Sequence, residues 1–132
     1  MSFSRPVAIA LISAAVLTTV VRAQPADISR GGACFFSREF QQWRAPDANT
    51  IYIRVGVSRF YRLDLAAPCP PLLFPNTHLV TVFHGSDTIC APIDWDLRVS
   101  QYPEGVTERC VVKAMTPMTP AELASIPPRF RP

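Results

Sequence analysis

Two imidazoles and a handful of carboxylates are where chemistry in this chain has to be sought first. His78 and His84 are six residues apart, so a strand continuing through Thr81 would carry both on one face, with Asp87 close behind. Two His and one Asp form a donor set for a divalent ion. With it, the chain would be a small metal-binding protein or a metal-dependent hydrolase using His78, His84 and nearby Asp residues. The competing reading is plainer: His84-Gly85-Ser86-Asp87 has the composition of a turn. Asp94 and Asp96 alternate as the wet face of a strand would. Ser86 has His84 and Asp87 beside it but no Gly-x-Ser-x-Gly elbow to raise its hydroxyl as a nucleophile. Nothing in the spacing of Glu39, Glu104, Glu108 and Glu122 brings two carboxylates to one cleft, and there is no glycine-rich phosphate loop. The reading is therefore a non-enzyme with no catalytic residues, no cofactor and no metal. The set His78, His84, Asp87 stands as the alternative.

Cys34, Cys69, Cys90 and Cys110 have their own chemistry. Spacings of 35, 21 and 20 residues contain no Cys-x-x-Cys pair of the kind used for zinc or thiol exchange, so two structural disulfides are expected. Four cysteines allow three connectivities. Cys34 with Cys69 and Cys90 with Cys110 is favoured, because each bridge then ties neighbouring segments.

Disulfides need an oxidising compartment, and the N-terminus supplies a route to one. Arg5 precedes an uncharged run of 15 residues from Val7 to Val21, ending at Val21-Arg22-Ala23. A basic start, a short apolar run and a small residue at the cut are the marks of a signal peptide, here residues 1–23. A membrane span needs about 20 apolar residues, so no span is expected after cleavage. The protein is placed in the periplasm or outside the cell. Loss of Arg5 and Arg22 would remove most of the excess of 13 basic over 10 acidic side chains, and with one lysine in the chain no clustered basic face for nucleic acid is expected.

The elements that position these residues read as mainly β. With 132 residues, 14 of them proline, the chain holds one small domain, placed at 24–126, with a flexible tail at 127–132. Ile51, Ile53, Val55 and Val57 alternate, as do Tyr61, Leu63 and Leu65, so each run has one buried face. A hairpin between them keeps like faces together only with an odd-length loop. Ser58-Arg59-Phe60 is favoured, pairing Ile53 with Leu65 and setting Arg54 opposite Asp64. Ile93, Trp95, Leu97 and Val99 define another strand with its charges outward. Residues 78–83 and 109–115 are apolar on both faces and read as central strands. Residues 35–43 fit a helix or a strand, with strand preferred. Turn compositions at 45–49, 68–71, 84–87 and 102–105 separate these runs. Thr119, Pro120 and Glu122 form a capping box for one short C-terminal helix, stopped by Pro127. The fold expected is a small antiparallel sandwich or barrel-like domain. Phe60, Tyr52 and Trp43 are candidates for an exposed aromatic contact patch, and open sheet edges for strand addition.

The order Cys34-Phe35-Phe36, Trp43-Arg44-Ala45 with Asp47, Tyr61-Arg62-Leu63, Pro68-Cys69-Pro70, Ile89-Cys90 with Asp94, Cys110-Val111-Val112 and Met118-Thr119-Pro120-Ala121-Glu122 resembles a family of small exported bacterial proteins known only as a domain of unknown function. The resemblance spans residues 33–124 and implies the fold and the exported location. It carries over no catalytic residue. Residues and resemblance together point to an exported, non-catalytic accessory with a structural or binding role, its partner an envelope protein, peptide or glycan.

Overall fold

A computed structural model describes residues 34–82, 85–101, 105 and 107–132. The expected signal segment 1–23 and His84 lie outside the described residues. The protein is mainly β, with nine strands among the described residues and one short helix. The strands are β1 (Phe35–Phe36), β2 (Phe40–Asp47), β3 (Thr50–Val55), β4 (Arg59–Leu65), β5 (Thr77–Val82), β6 (Thr88–Ile89), β7 (Asp96–Gln101), β8 (Thr107–Arg109) and β9 (Val112–Pro117); the helix α1 is Pro120–Ser125. They form antiparallel sheets ordered β2-β3-β4-β9, β5-β7-β8 and β1-β6.

Period-two alternation builds the core. Ile51, Ile53 and Val55 from β3, Tyr61, Leu63 and Leu65 from β4, and Leu97 and Val99 from β7 all lie in one buried cluster, to which Phe35 and Trp95 add aromatic bulk. Both larger sheets face this cluster, as in a sandwich. The segment 107–117 joins them: β8 pairs with β7, the chain crosses at Cys110-Val111, and β9 pairs with β4. The stretch 109–115 is therefore two strands in different sheets, not one central strand. Among the described residues β5 is likewise an edge strand, with β7 on one side only.

The hairpin β3–β4 keeps the expected parity but not the expected register. Ile51 faces Leu63, Ile53 faces Tyr61 and Val55 faces Arg59, so Arg54 lies opposite Phe60 rather than Asp64. The loop is Gly56-Val57-Ser58, opened by Gly56 at φ 60°, a left-handed conformation that glycine adopts without a Cβ penalty. Val57 is consequently at the loop tip and 94 % exposed, despite its place in the alternation. Arg62 pairs instead with Asp64 on its own strand, at 2.8 Å.

The disulfides are Cys34–Cys90 and Cys69–Cys110, which corrects the favoured pairing of sequence neighbours. Register explains both. Phe35 faces Ile89 across β1–β6, so Cys34 and Cys90 occupy the next position along the same pair. Leu65 faces Val112 and the Ala66 amide donates to the Val111 carbonyl at 2.9 Å, so the chain leaving β4 meets Cys110. Spatial neighbours in this fold are distant in sequence, which a rule of nearest segments misses.

Residues 35–43 are neither one helix nor one strand: a 3-10 turn at Ser37–Glu39 separates β1 from β2. The capping box of α1 forms as read, with the Glu122 amide donating to Thr119 Oγ1 at 3.3 Å and the Thr119 amide to Glu122 Oε2 at 2.7 Å. Beyond Pro127, where fraying was expected, Pro128–Phe130 make a 3-10 turn and Arg131 donates to the Ile126 and Ala124 carbonyls at 2.7 and 2.6 Å. Among the described residues no helix is long and apolar enough to cross a membrane.

Candidate functional site

Of the expected ligand residues, His78 and Asp87 are described, and they do not share an element. His78 is exposed on the edge strand β5, opposite Ser100. Asp87 precedes β6, where its carboxylate lies 3.4 Å from Arg38 and its carbonyl accepts from the Ser37 amide at 2.8 Å. Ser86 Oγ accepts from the Thr88 amide at 3.1 Å, as a turn hydroxyl does. Among the described residues no three metal-ligating side chains gather.

Asp94 and Asp96 also leave the wet-face pattern. Asp94 Oδ2 accepts from the Cys90 and Ala91 amides at 3.0 and 2.9 Å and so closes a 3-10 turn at Pro92–Asp94. Asp96 is only 8 % exposed, held between Arg98 at 3.2 Å and Arg109 at 3.0 Å. The aromatic patch is divided as well. Trp43 faces Ile53 and packs against the core, while Tyr52 and Phe60 stand on the outward face of β3–β4.

The arrangement that does emerge was not read from sequence. Between the turn Pro92–Asp94 and the start of β9 lies a groove of about 390 Å³. The turn throws Ile93 outward, leaving it 91 % exposed, although its place in the alternation predicted burial. Val111, at the crossing between sheets, is 51 % exposed on the other wall. Trp95 forms the floor, its indole N–H donating to Thr81 Oγ1 at 3.0 Å and its ring packed edge-on against Phe35 and Phe40. Arg109 and Lys113 complete the lining, and among the described residues no carboxylate faces the space. Asp96 is shared between Arg98 and Arg109, of which Arg109 lines the groove, and Lys113 adds a second cation to the rim.

Local sequence dictates this shape. Pro92 presets the φ of the first turn position and the Asp94 carboxylate closes the turn on the Cys90 and Ala91 amides, so Ile93 sits in a 3-10 turn and the strand begins only at Asp96. That proline was the available signal. The opposite wall is fixed by Cys110, bridged to Cys69 and donating its amide to the Leu97 carbonyl at 3.0 Å. A second, smaller hollow of about 260 Å³ lies on the other side of Trp95, between Arg38, Phe40 and Thr81. Among the described residues that line these two spaces, none is a nucleophile standing beside a base; the larger has an apolar floor and a cationic rim.

Fold and groove together define a small, disulfide-stapled, mainly β domain. Residues 4–126 match the family of unknown function DUF6491, and the chain belongs to that family. Comparisons with curated proteins and with solved structures returned no match.

Proposed function

We propose that this protein is a non-catalytic accessory of an oxidising compartment, the periplasm or the cell exterior, and that it acts by binding. The observation that carries this reading is Ile93 standing 91 % exposed beside a tryptophan-floored groove. Water contact on a whole isoleucine side chain costs about 1.5 to 3 kcal/mol relative to burial, which a partner covering it recovers. Two disulfides support the compartment, because such bonds persist where the surroundings are oxidising.

The test is a crosslinking capture from the cell-envelope fraction with the full chain as bait. A partner enriched above background is the expected result, with the bait itself recovered in that fraction in its bridged form. A precursor found in the cytosol with four free thiols would end the compartment reading, and an envelope capture indistinguishable from background would leave only a structural role. Metal analysis of the purified protein separates the rival reading. Stoichiometric zinc or copper, lost in a His78→Ala, His84→Ala double variant, would replace binding of a partner with a metal function.

A further inference from the structure

We propose that the groove between Pro92–Asp94 and β9 receives an acidic, apolar segment of a partner polypeptide. An aliphatic side chain of that segment lies against Ile93 and Val111, and carboxylates on either side of it meet Arg109 and Lys113. This rests on the binding role given above and specifies its ligand.

Three observations select this occupant. Charge is the first: both ionic residues lining the groove are cationic, and no carboxylate faces it among the described residues. Lys113 makes no ion pair within the described structure, so its charge is available to an incoming anion. Arg109 is oriented by Asp96 at 3.0 Å and keeps a 64 % exposed side chain, so its guanidinium has donors left over from that contact. Shape is the second. A groove whose wall residue is 91 % exposed is too shallow to enclose a free hydrocarbon chain, whereas a polypeptide can cover Ile93 from above. Backbone is the third. Among the described residues β9 pairs with β4 on one side only and forms the rim of the groove, so an extended segment lies alongside a sheet edge. The bulge between Asp64 and Leu65 and the lysine at 113 protect that edge against indiscriminate pairing, and Lys113 rewards a segment bearing a carboxylate.

The probe is an acetylated, amidated peptide alternating Asp with Leu, titrated into the isotope-labelled full chain and followed by amide and indole NMR shifts. Saturable shifts at Ile93, Trp95, Val111 and Lys113 are expected, weakening as added salt shortens the screening length below about 10 Å. Lys113→Glu and Ile93→Asp, both surface changes, should each weaken binding about tenfold or more while the unfolding midpoint stays at the wild-type value. A control peptide with Lys in place of Asp should leave these resonances unmoved.

Equal binding of the Lys peptide, shifts confined to another face, or no shifts at millimolar peptide would each overturn the proposal. So would decanoate producing the same shifts with higher affinity than the Asp-Leu peptide, since the ligand would then be an acyl carboxylate. Envelope capture carried out with the Lys113→Glu and Ile93→Asp baits separates the two levels. A partner retained by both variants refutes the groove and leaves the binding role standing, whereas a partner lost by both supports the groove.

Discussion

Asp96 shows how a single residue escapes its sequence pattern. Alternation places it on the outer face of β7, opposite Val82, yet the two arginines on neighbouring strand positions fold over it until 8 % of it is exposed. Asp96→Asn would leave Arg98 and Arg109 without their shared anion, and a loss of about 1 to 3 kcal/mol in urea unfolding is expected. A midpoint equal to wild type would show that water replaces the carboxylate without cost. Two carboxylates, Glu39 half-buried and Glu122 exposed, contribute to the acid response. The Phe36 amide, together with Arg59, holds Glu39 below its ordinary carboxylate value, and the Thr119 amide and hydroxyl do the same for Glu122. A depressed folded-state pKa gives stability that is present above the unfolded value, about 4.3 for Glu, and is lost as pH falls through the folded value. Thermal midpoints should therefore hold from neutral pH to about pH 5 and decline below about pH 4. In Glu122→Gln the midpoint should be lower near neutral pH and the decline below pH about 4 shallower.

At the scale of the element, periodicity was legible and phase was not. The inward sets on β3 and β4 were readable because two-residue alternation is a property of the strand alone. Pairing was not, since the register depends on which residues form the loop, and Gly56 at φ 60° moved it from 58–60 to 56–58. Gly56→Ala should cost about 1 kcal/mol, the penalty of a Cβ in the left-handed region, because the nearest atom to that Cβ is 4.0 Å away and adds no clash. Amide shifts of β3 and β4 should be preserved in the variant. A register change in its cross-strand contacts would show that the turn alone does not set the pairing. The capping box at Thr119 was fully legible, because every partner lies within one helical turn.

Across the whole molecule, two bridges of unequal exposure hold the sheets. They span 56 and 41 residues, and each constrains the unfolded chain by about 4 kcal/mol on the loop-entropy account. Cys69 and Cys110 are 2 % and 3 % exposed, while Cys90 is exposed beyond the end of β6. Graded reduction followed by alkylation and peptide mapping should open Cys34–Cys90 first and leave Cys69–Cys110 closed until the fold is lost. Simultaneous labelling of all four thiols would contradict that order. A Cys69→Ser, Cys110→Ser variant should be the more destabilised of the two double variants, since it also frees the crossing that forms one wall of the groove.

The amino-acid order by itself settled the β class, the inward faces of β3, β4 and β7, the bridged state of the cysteines and the helix cap. Each of these follows from spacing within one segment or from residue type. Three-dimensional packing decided which cysteine meets which, where 109–115 divides between sheets, and that Val111 comes to lie across the groove from Ile93. Those outcomes hang on contacts between residues tens of positions apart, whose relative placement is fixed only when both sheets close on a common core.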